Sequence, residues 1–338
     1  MDYVLSFCDH YVLDDVYSYL LPHPPIPSSL PHLYNQTLPS PYAQSTTYNP
    51  PQPSSSSSSL KTGSLLPRDN IIRQGVSMFT IALLGAYAMY FLFCSISYFF
   101  LYDRRLEHHP KFLKNQIRKE IKSSMIAAPV IDLMTLPWFL GEVRGYSKLY
   151  DNIDEHGWPY LIASLFMFLF FTDFAIYWVH RLEHHPLIYK HVHKPHHKWI
   201  VPTPYAALAF HPVDGYAQSL PYHIFPFLFP LHKFAYLGLF VFVQFWTILI
   251  HDGDMISGHL LERYINSPAH HTLHHLYFTV NYGQYFTWAD SYYDSYRAPE
   301  DHLDPIHDSL KAMRKKGLID ENNNPIPQID LEHKKKDL

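Results

Sequence analysis

The stretch from Val76 to Tyr102 contains no charged side chain. A helix needs about 20 apolar residues to cross about 30 Å of hydrocarbon, so this stretch is predicted to be a transmembrane helix. The composition agrees, because 47% of the residues are hydrophobic and only 17% are charged, whereas ordinary soluble domains carry about 25% charged residues. The first expectation is therefore an all-α, polytopic membrane helical bundle.

Two further apolar stretches are predicted to be spans. Residues 123–141 form a weaker second span, which carries Asp132 and is broken by Pro129 and Pro137. Residues 158–179 form the third span, with a single acidic residue inside it. Both are long enough to cross most of the hydrocarbon layer.

Residues 218–250 are almost wholly apolar, but Pro226, Pro230, His232 and Lys233 interrupt their middle. Each half has roughly 16 residues and reaches only about 24 Å at about 1.5 Å per residue. We therefore expect a short hairpin that dips into the membrane and returns. With this hairpin the bundle has about four membrane-crossing or re-entrant helical units.

The loop after the first span, residues 104–122, is rich in Lys and Arg. Because cytosolic loops carry an excess of these residues, the loop is predicted to be cytosolic and the N-terminus lumenal. Counting spans then places residues 180–217 and 251–338 on the cytosolic face. These two segments carry the histidine clusters described below, so a cytosolic histidine-rich cap is expected.

Composition divides the chain into three parts. Residues 1–70 are predicted to be a disordered Pro/Ser-rich arm, residues 75–300 a membrane domain, and residues 301–338 a polar cytosolic tail. The arm contains the glycosylation sequon at Asn35, which matters only if the arm is lumenal. The tail ends in Lys334–Leu338, which fits a dilysine retrieval signal, so a multi-pass protein of the endoplasmic-reticulum membrane is predicted.

Charge and cysteine content exclude several classes of protein. The net charge is −4 with neutral histidines, so there is no basic field to hold nucleic acid. The two cysteines are too few for a disulfide framework or a thiolate metal cluster. A nucleic-acid binder, a zinc-finger protein and a secreted mini-protein are all disfavoured.

Histidine is unusually frequent, with 25 residues against 26 for Lys and Arg together. Residues three and four apart share a helix face, and three clusters have that spacing. The shared-face residues are His180 and His184; His193, His196 and His197; and His271, His274 and His275. Neutral imidazole is the commonest metal ligand, and these eight exceed the four ligands of a structural zinc. Two metals with four to five nitrogens each would use them.

Five further residues are candidates for the same site. His251 follows the apolar hairpin and is predicted to be a ninth ligand. Asp173 and Tyr177 lie on the face of the third span that leads to His180, and Asp173 is predicted to accept the free N–H of a ligating imidazole. His211 and Asp214 are left open between such a supporting role and ordinary turn residues.

Arranged as HxxxH, HxxHH and HxxHH, these boxes resemble the fatty acid hydroxylase superfamily of membrane di-iron enzymes, over about residues 75–305. Within it, the chain looks most like the sterol C-5 desaturases. The matching stretches are residues 172–184 (TDFAIYWVHRLEH), 193–198 (HKPHHK), 211–215 (HPVDG) and 271–284 (HTLHHLYFTVNYGQ). A departure follows Trp288, where Ala289-Asp290-Ser291 replaces the family's usual Trp-Asp and basic turn.

The resemblance implies an oxidoreductase that converts a Δ7-sterol (episterol or lathosterol type) to a Δ5,7-sterol in ergosterol-type biosynthesis. It implies two iron ions on the nine histidines, and O₂ as the oxidant. Electrons would come from NAD(P)H through a separate cytochrome b5 or its reductase, because the chain has neither a GxGxxG nor an HPGG motif. The sterol substrate would reach the site from the bilayer.

Other classes of protein are weighed against this one. A metal transporter would place its ligands inside the spans, whereas these histidines lie at the span ends. A histidine-rich scaffold would show repeats or random spacing, and neither is present. Within the enzyme class, a C-4 methylsterol oxidase or a lipid hydroxylase of the same superfamily remains the alternative.

Overall fold

The computed structural model describes residues 1–22 and 64–326. The helices are α1 (Asp2–Cys8), α2 (Asp14–Leu20), α3 (Ile71–Phe100), α4 (Gln116–Val143), α5 (Gly157–Glu183), α6 (Pro186–Tyr189), α7 (Pro212–Leu228), α8 (Lys233–Leu249), α9 (Pro268–Tyr277), α10 (Trp288–Tyr292) and α11 (Ile306–Lys315). Short 3₁₀ helices cover Arg104–His108, Ile153–Glu155, Pro204–Leu208 and Asp301–Leu303, and Asp9–Leu13 is π-helical. The predicted all-α class is confirmed.

Within the described residues, α3, α4 and α5 are long and apolar enough to cross a membrane. They coincide with the three predicted spans, beginning up to seven residues earlier, and α3 ends two residues before its predicted end. Because α3 packs on α4 and both α4 and α5 pack on α7, these helices form one bundle. The protein is therefore a polytopic membrane protein.

The prediction that prolines break the second span is wrong, since α4 is continuous with Pro129 and Pro137 inside it. Proline lacks the N–H that would bond the carbonyl four residues earlier. For Pro129 that carbonyl belongs to Met125, and it accepts a hydrogen bond from the Tyr87 hydroxyl of α3 at 3.0 Å. A neighbouring helix thus satisfies the backbone group that the proline leaves unpaired.

The predicted hairpin is present as α7 and α8, each of 17 residues. Between them, Leu231–His232 (β2) pairs in parallel with Leu149–Tyr150 (β1). Since β1 lies in the connection between α4 and α5, the tip of the hairpin reaches the same end of the bundle as that connection. The starts of α7 and α9 therefore share the opposite end with the end of α5.

The start of the chain differs from the predicted disordered arm, because α1 and α2 pack on the bundle. Leu5 is buried against Met78 and Phe139. Arg73 of α3 bonds the carboxylates of Asp9 and Asp14, each at 2.6 Å. Pro and Ser dominate the composition only from residue 22 onward, so averaging over 1–70 concealed this helical segment. Residues 23–63, including the Asn35 sequon, lie outside the described residues.

The predicted polar tail also begins with ordered structure. Helix α11 packs on the 3₁₀ helix Arg104–His108, and Ile306 lies against the cluster of Tyr102, Leu106 and Val201. The chain after α5 and the loop after α3 thus meet at the same end of the bundle. The lysines of the proposed retrieval signal, at 334–336, lie outside the described residues.

Candidate metal centre

All nine histidines predicted as ligands lie together at one end of the bundle. They form two groups, in each of which the nitrogen atoms offered lie within 4.8 Å of one another. The five-histidine group is His180, His184, His193, His197 and His274. The four-histidine group is His196, His251, His271 and His275. The groups adjoin, with the ring centroids of His197 and His275 4.9 Å apart.

Spacing of four residues determines which histidines stay together. His271 and His275 on α9 enter the same group, because one helical turn places i and i+4 on one face. The intervening His274 is rotated away and enters the five-histidine group. The same rule joins His180 to His184, which caps the C-terminal end of α5.

The expectation that each cluster points one way is therefore wrong for the second and third clusters. The second cluster is a series of turns rather than a helix. The backbone N–H groups of His196 and His197 both bond the carbonyl of His193, at 3.0 and 3.3 Å. His197 stays with His193, whereas His196 faces the other group, with its Nε2 3.4 Å from Nε2 of His251.

Hydrogen bonds to backbone carbonyls determine the tautomer of three of these rings. Nδ1 of His180 bonds the Tyr282 carbonyl at 3.0 Å, and Nδ1 of His274 bonds that of Val280 at 2.7 Å. Nδ1 of His251 bonds the Thr247 carbonyl at 2.6 Å. Since a carbonyl only accepts, each Nδ1 carries the proton and each Nε2 presents a lone pair.

The pair His180 and His193 tests whether these residues fit a metal. Nδ1 of His193 bonds the Asp214 carboxylate at 2.8 Å, so His193 also carries its proton on Nδ1. The two Nε2 atoms nevertheless lie 3.1 Å apart. Two lone pairs at that distance repel, and a shared cation removes the repulsion. The donor set therefore fits a metal ion.

Burial keeps the rings in the form that binds metal. It lowers the pKa of His197, His271 and His274 well below the usual range, with the neighbouring imidazoles as a second cause. Burial also lowers the pKa of His251 to about 4. Neutral imidazole is the ligand form, and it suits iron as well as zinc, copper and nickel.

Two acids support His193 from behind. Asp214, which the sequence left open, bonds Nδ1 of His193 and also accepts from Gln218 Nε2 at 2.6 Å. Glu183 has a carboxylate oxygen 3.8 Å from the same Nδ1 and is buried. The sequence analysis missed Glu183, although its place between His180 and His184 was a usable signal. His211 instead caps α7, where its Nδ1 accepts from the Val213 N–H.

The predicted contact between Asp173 and an imidazole is not present. Asp173 Oδ1 instead accepts the backbone N–H groups of residues 284–286, at 2.7–3.1 Å. Asp290 accepts those of Tyr282 and Gly283, each at 2.8 Å. Two buried carboxylates thus hold the loop at 282–286, and this loop presents the Tyr282 carbonyl to His180.

Tyr177 likewise contacts no ligand nitrogen. Its hydroxyl lies 2.9 Å from Ser295 Oγ and accepts from Arg181 at 2.5 Å. It ties α5 to the segment that follows α10. Asp290 lies in the stretch that departs from the family pattern. The sequence analysis did not assign it a role, because its contacts to the loop exist only in the folded structure.

A cavity of about 310 Å³ adjoins the four-histidine group. At one end it is lined by Phe210, whose ring centroid lies 5.9 Å from that of His196, and by Thr247, whose carbonyl holds His251. At the other end it is lined by Met1 and Val4 of the N-terminal segment. Most of the intervening lining is aliphatic and aromatic. The arrangement suits an elongated apolar ligand.

Known proteins resemble this chain closely. A fatty acid hydroxylase family model matches residues 165–295. A Delta(7)-sterol 5(6)-desaturase of Gibberella zeae is 59% identical over 98% of this chain and 100% of its own length. Another, of Aspergillus fumigatus, is 52% identical over 96% of this chain and 98% of its own length. A lathosterol oxidase of Rattus norvegicus is 56% identical over 69% of this chain and 79% of its own length.

No solved structure matches the chain. Two of these relatives match over nearly the whole chain, and the family model spans residues 165–295, the segment that holds all nine candidate ligands. This chain belongs to the Delta(7)-sterol 5(6)-desaturase family of the fatty acid hydroxylases.

Proposed function

We propose that this protein introduces the C-5(6) double bond into a Δ7-sterol, giving a Δ5,7-sterol in sterol biosynthesis. The relatives named above support an oxidoreductase of this type. The observation that carries the proposal is the position of the cavity. An apolar space of about 310 Å³ opens inside the membrane bundle and ends beside the paired histidine groups.

The cavity suits a sterol in shape and chemistry. Along α8 it extends from Leu237 to Thr247, a distance of about 15 Å at about 1.5 Å per residue. Apolar side chains such as Phe139, Phe240 and Val243 line it. A sterol is rigid, elongated and apolar apart from one hydroxyl, and it already resides in the membrane.

The chemistry requires an oxidant, because an unactivated C–H bond offers no proton that an acid or base could remove. Two iron ions held by the five- and four-histidine groups would, with O₂ and two external electrons, supply it. In the balanced reaction O₂ takes two hydrogen atoms from the sterol, the two external electrons and two protons from solvent, and leaves as two water molecules. Four to five nitrogens per group support this count of metals.

The chain itself contributes position and tautomer. The backbone carbonyls of Thr247, Val280 and Tyr282 each accept a hydrogen bond from Nδ1 of one imidazole. Each of these three rings therefore directs Nε2 toward the centre. The buried centre excludes bulk water from the reacting bond. The cavity walls decide which carbons approach, and a small displacement of the substrate separates desaturation from hydroxylation.

The electron donor and the orientation in the membrane belong to the same proposal. Cytochrome b5 or its reductase delivers electrons from NAD(P)H at the end of the bundle that holds the histidines. This end faces the cytosol in the endoplasmic-reticulum membrane, and the hairpin tip faces the lumen. The basic loop at 104–122 supports the orientation, since it lies at the histidine end.

The test is turnover by microsomes from cells that make this chain, given a Δ7-sterol, NADH and air. Extracted sterols are scanned for the ultraviolet absorption of a conjugated diene. We expect a diene that requires O₂ and is lost in His274→Ala, while the exposed control His302→Ala retains it. An oxygenated sterol without diene would instead support a methylsterol oxidase or hydroxylase. Neither product, with an active positive control, would contradict the sterol assignment.

A further inference from the structure

A pair of polar side chains lies at the histidine end of the mostly apolar cavity. Gln284 and Thr247 line the cavity there, and Gln284 Nε2 donates to Thr247 Oγ1 at 3.0 Å. Thr247 is itself adjacent to the metal centre, because its carbonyl accepts from His251 Nδ1 at 2.6 Å. The amide of Gln284 is thus two hydrogen bonds away from a candidate ligand.

The position of Gln284 is fixed from both sides. Its backbone N–H donates to Asp173 Oδ1 at 3.1 Å, and its backbone carbonyl accepts from Trp246 Nε1 at 2.7 Å. Its Nε2 is engaged by Thr247, and the residue lines the cavity. Among the described residues, none donates a hydrogen bond to Gln284 Oε1, so this oxygen can accept one from a ligand.

The reaction itself dictates where the sterol hydroxyl lies. Three bonds separate the hydroxyl oxygen on C-3 from C-5, so this oxygen approaches the metal centre whenever C-5 and C-6 do. The hydroxyl needs a partner there, because a buried hydroxyl without one is costly. Gln218 also lines the cavity, but its Nε2 donates to Asp214 at 2.6 Å, which ties this side chain to the acid behind His193.

We propose that Oε1 of Gln284 accepts a hydrogen bond from the 3β-hydroxyl of the sterol and so places C-5 and C-6 beside the histidines. The inference rests on the proposed function. This hydrogen bond determines the orientation of the substrate, with the A ring at Gln284 and the C-17 side chain toward Val4. Gln284 is then a substrate-binding residue that selects free 3β-hydroxysterols.

The experiment compares a Δ7-sterol with its 3-deoxy analogue, in the wild type, Gln284→Leu and the matched control Gln244→Leu. Gln244 also lines the cavity, three residues before Thr247 on α8. Turnover gives kcat and KM for both compounds. Equilibrium binding of the radiolabelled compounds to metal-stripped protein gives a second measure that does not depend on iron.

We expect the wild type and Gln244→Leu to favour the hydroxylated sterol by about tenfold in both measures, as one hydrogen bond provides. In Gln284→Leu the KM and Kd for the sterol rise about tenfold, and those for the 3-deoxy analogue stay unchanged. Preference for the hydroxyl retained in Gln284→Leu, or lost instead in Gln244→Leu, would overturn the inference.

Iron content is measured for each variant, and Gln284→Ala replaces Gln284→Leu if the latter does not retain iron. If neither Gln284→Leu nor Gln284→Ala retains iron, or if affinity falls equally for the sterol and its 3-deoxy analogue, the role of the Gln284 amide is to hold the loop. Either result would overturn the inference. A wild type that forms no diene from either compound would contradict the proposed function itself. The two failures are therefore distinguishable.

Discussion

His196 and His197 are neighbours in the chain, yet their imidazoles serve different histidine groups. Nε2 of His196 lies 3.4 Å from that of His251, whereas Nε2 of His197 lies 3.1 Å from that of His184. The turns at 193–197 point successive side chains in different directions. The peptide bond between them therefore joins the two proposed metal sites directly, as does the one between His274 and His275.

Single substitutions of these neighbours separate the two sites. We expect His196→Ala and His197→Ala each to lower turnover by at least about 100-fold, because removing a ligand costs more than removing a supporting residue. His196→Ala leaves three imidazoles in its group, and His197→Ala leaves four. Iron per polypeptide, measured by mass spectrometry, should therefore fall further in His196→Ala. Equal, wild-type iron content in both would exclude them as ligands.

Asp214→Asn should weaken iron binding by about 10–100-fold. Asp214 accepts from both His193 Nδ1 and Gln218 Nε2, and an amide can accept only through its oxygen, so one of these bonds is lost. The measurement is a competition titration with a chelator. Asp301→Asn, at a carboxylate that is 92% exposed, is the control. Unchanged affinity in Asp214→Asn would contradict the supporting role.

Gly283→Ala should destabilise the loop at 282–286 by about 1–3 kcal/mol. A Cβ at this position would overlap the Phe286 carbonyl and come within 3.0 Å of Asp290 Oδ2. Thermal unfolding in detergent gives the change. The matched control is Gly238→Ala on α8, where a Cβ would meet no atom within 4 Å and the helix should gain about 0.5–1 kcal/mol. Unaltered stability of Gly283→Ala would contradict the packing of this loop.

The metal-free protein should lose stability as the pH falls from about 6.5 to about 4. Burial lowers the pKa of His270 to about 4, while the unfolded chain takes up its proton near pH 6.5. In this window the unfolded state binds more protons, so the free energy of unfolding decreases by up to about 1.4 kcal/mol per pH unit for each such group. Above it the contribution is constant.

The measurement for this pH effect is the melting temperature of chelator-treated protein between pH 7 and pH 4. His270→Gln should give a shallower slope, because one of the contributing groups is removed. His302→Gln, at a ring that is 70% exposed, should leave the slope unchanged. Identical slopes for all three proteins would show that burial does not lower the pKa of His270.

Val4→Trp should restrict the length of sterol that the cavity accepts. Val4 lines the end farthest from the histidines, where the C-17 side chain lies in the orientation inferred above. We expect kcat/KM to fall at least about tenfold for a sterol with its full side chain and to stay within about twofold for one without it. Phe7→Trp, on the same helix at a residue 63% exposed, is the control. Equal losses on both sterols would contradict this orientation.

Local patterns were enough to find the spans and the candidate ligands. A charge-free stretch such as Val76–Tyr102 crosses a membrane as a helix, because only a helix lets every backbone N–H and C=O group form a hydrogen bond within the segment. Eight of the nine candidate ligands were likewise recognisable, since spacing of three and four residues places side chains on one helix face. His251 was recognised by its position after the apolar hairpin. The chemistry of imidazole then indicated metal before any fold was known.

The prolines of α4 and the first twenty residues show where local patterns failed. Pro129 does not break its helix because a hydroxyl from α3, at Tyr87, bonds the carbonyl of Met125. The N-terminal segment is helical because Arg73 and Met78 of α3 provide partners for its acids and its leucine. Both outcomes depend on contacts between residues far apart in the chain.

By itself, then, the sequence determined that this protein is an all-α membrane protein and singled out nine histidines as candidate ligands, because charge, hydropathy and helical spacing act over a few residues. The tertiary structure alone decided how the histidines divide into groups of five and four. It alone assigned Asp173 and Asp290 to the loop at 282–286 and placed Gln284 in the cavity. Those relations are distances between segments up to about a hundred residues apart, and no local pattern encodes them.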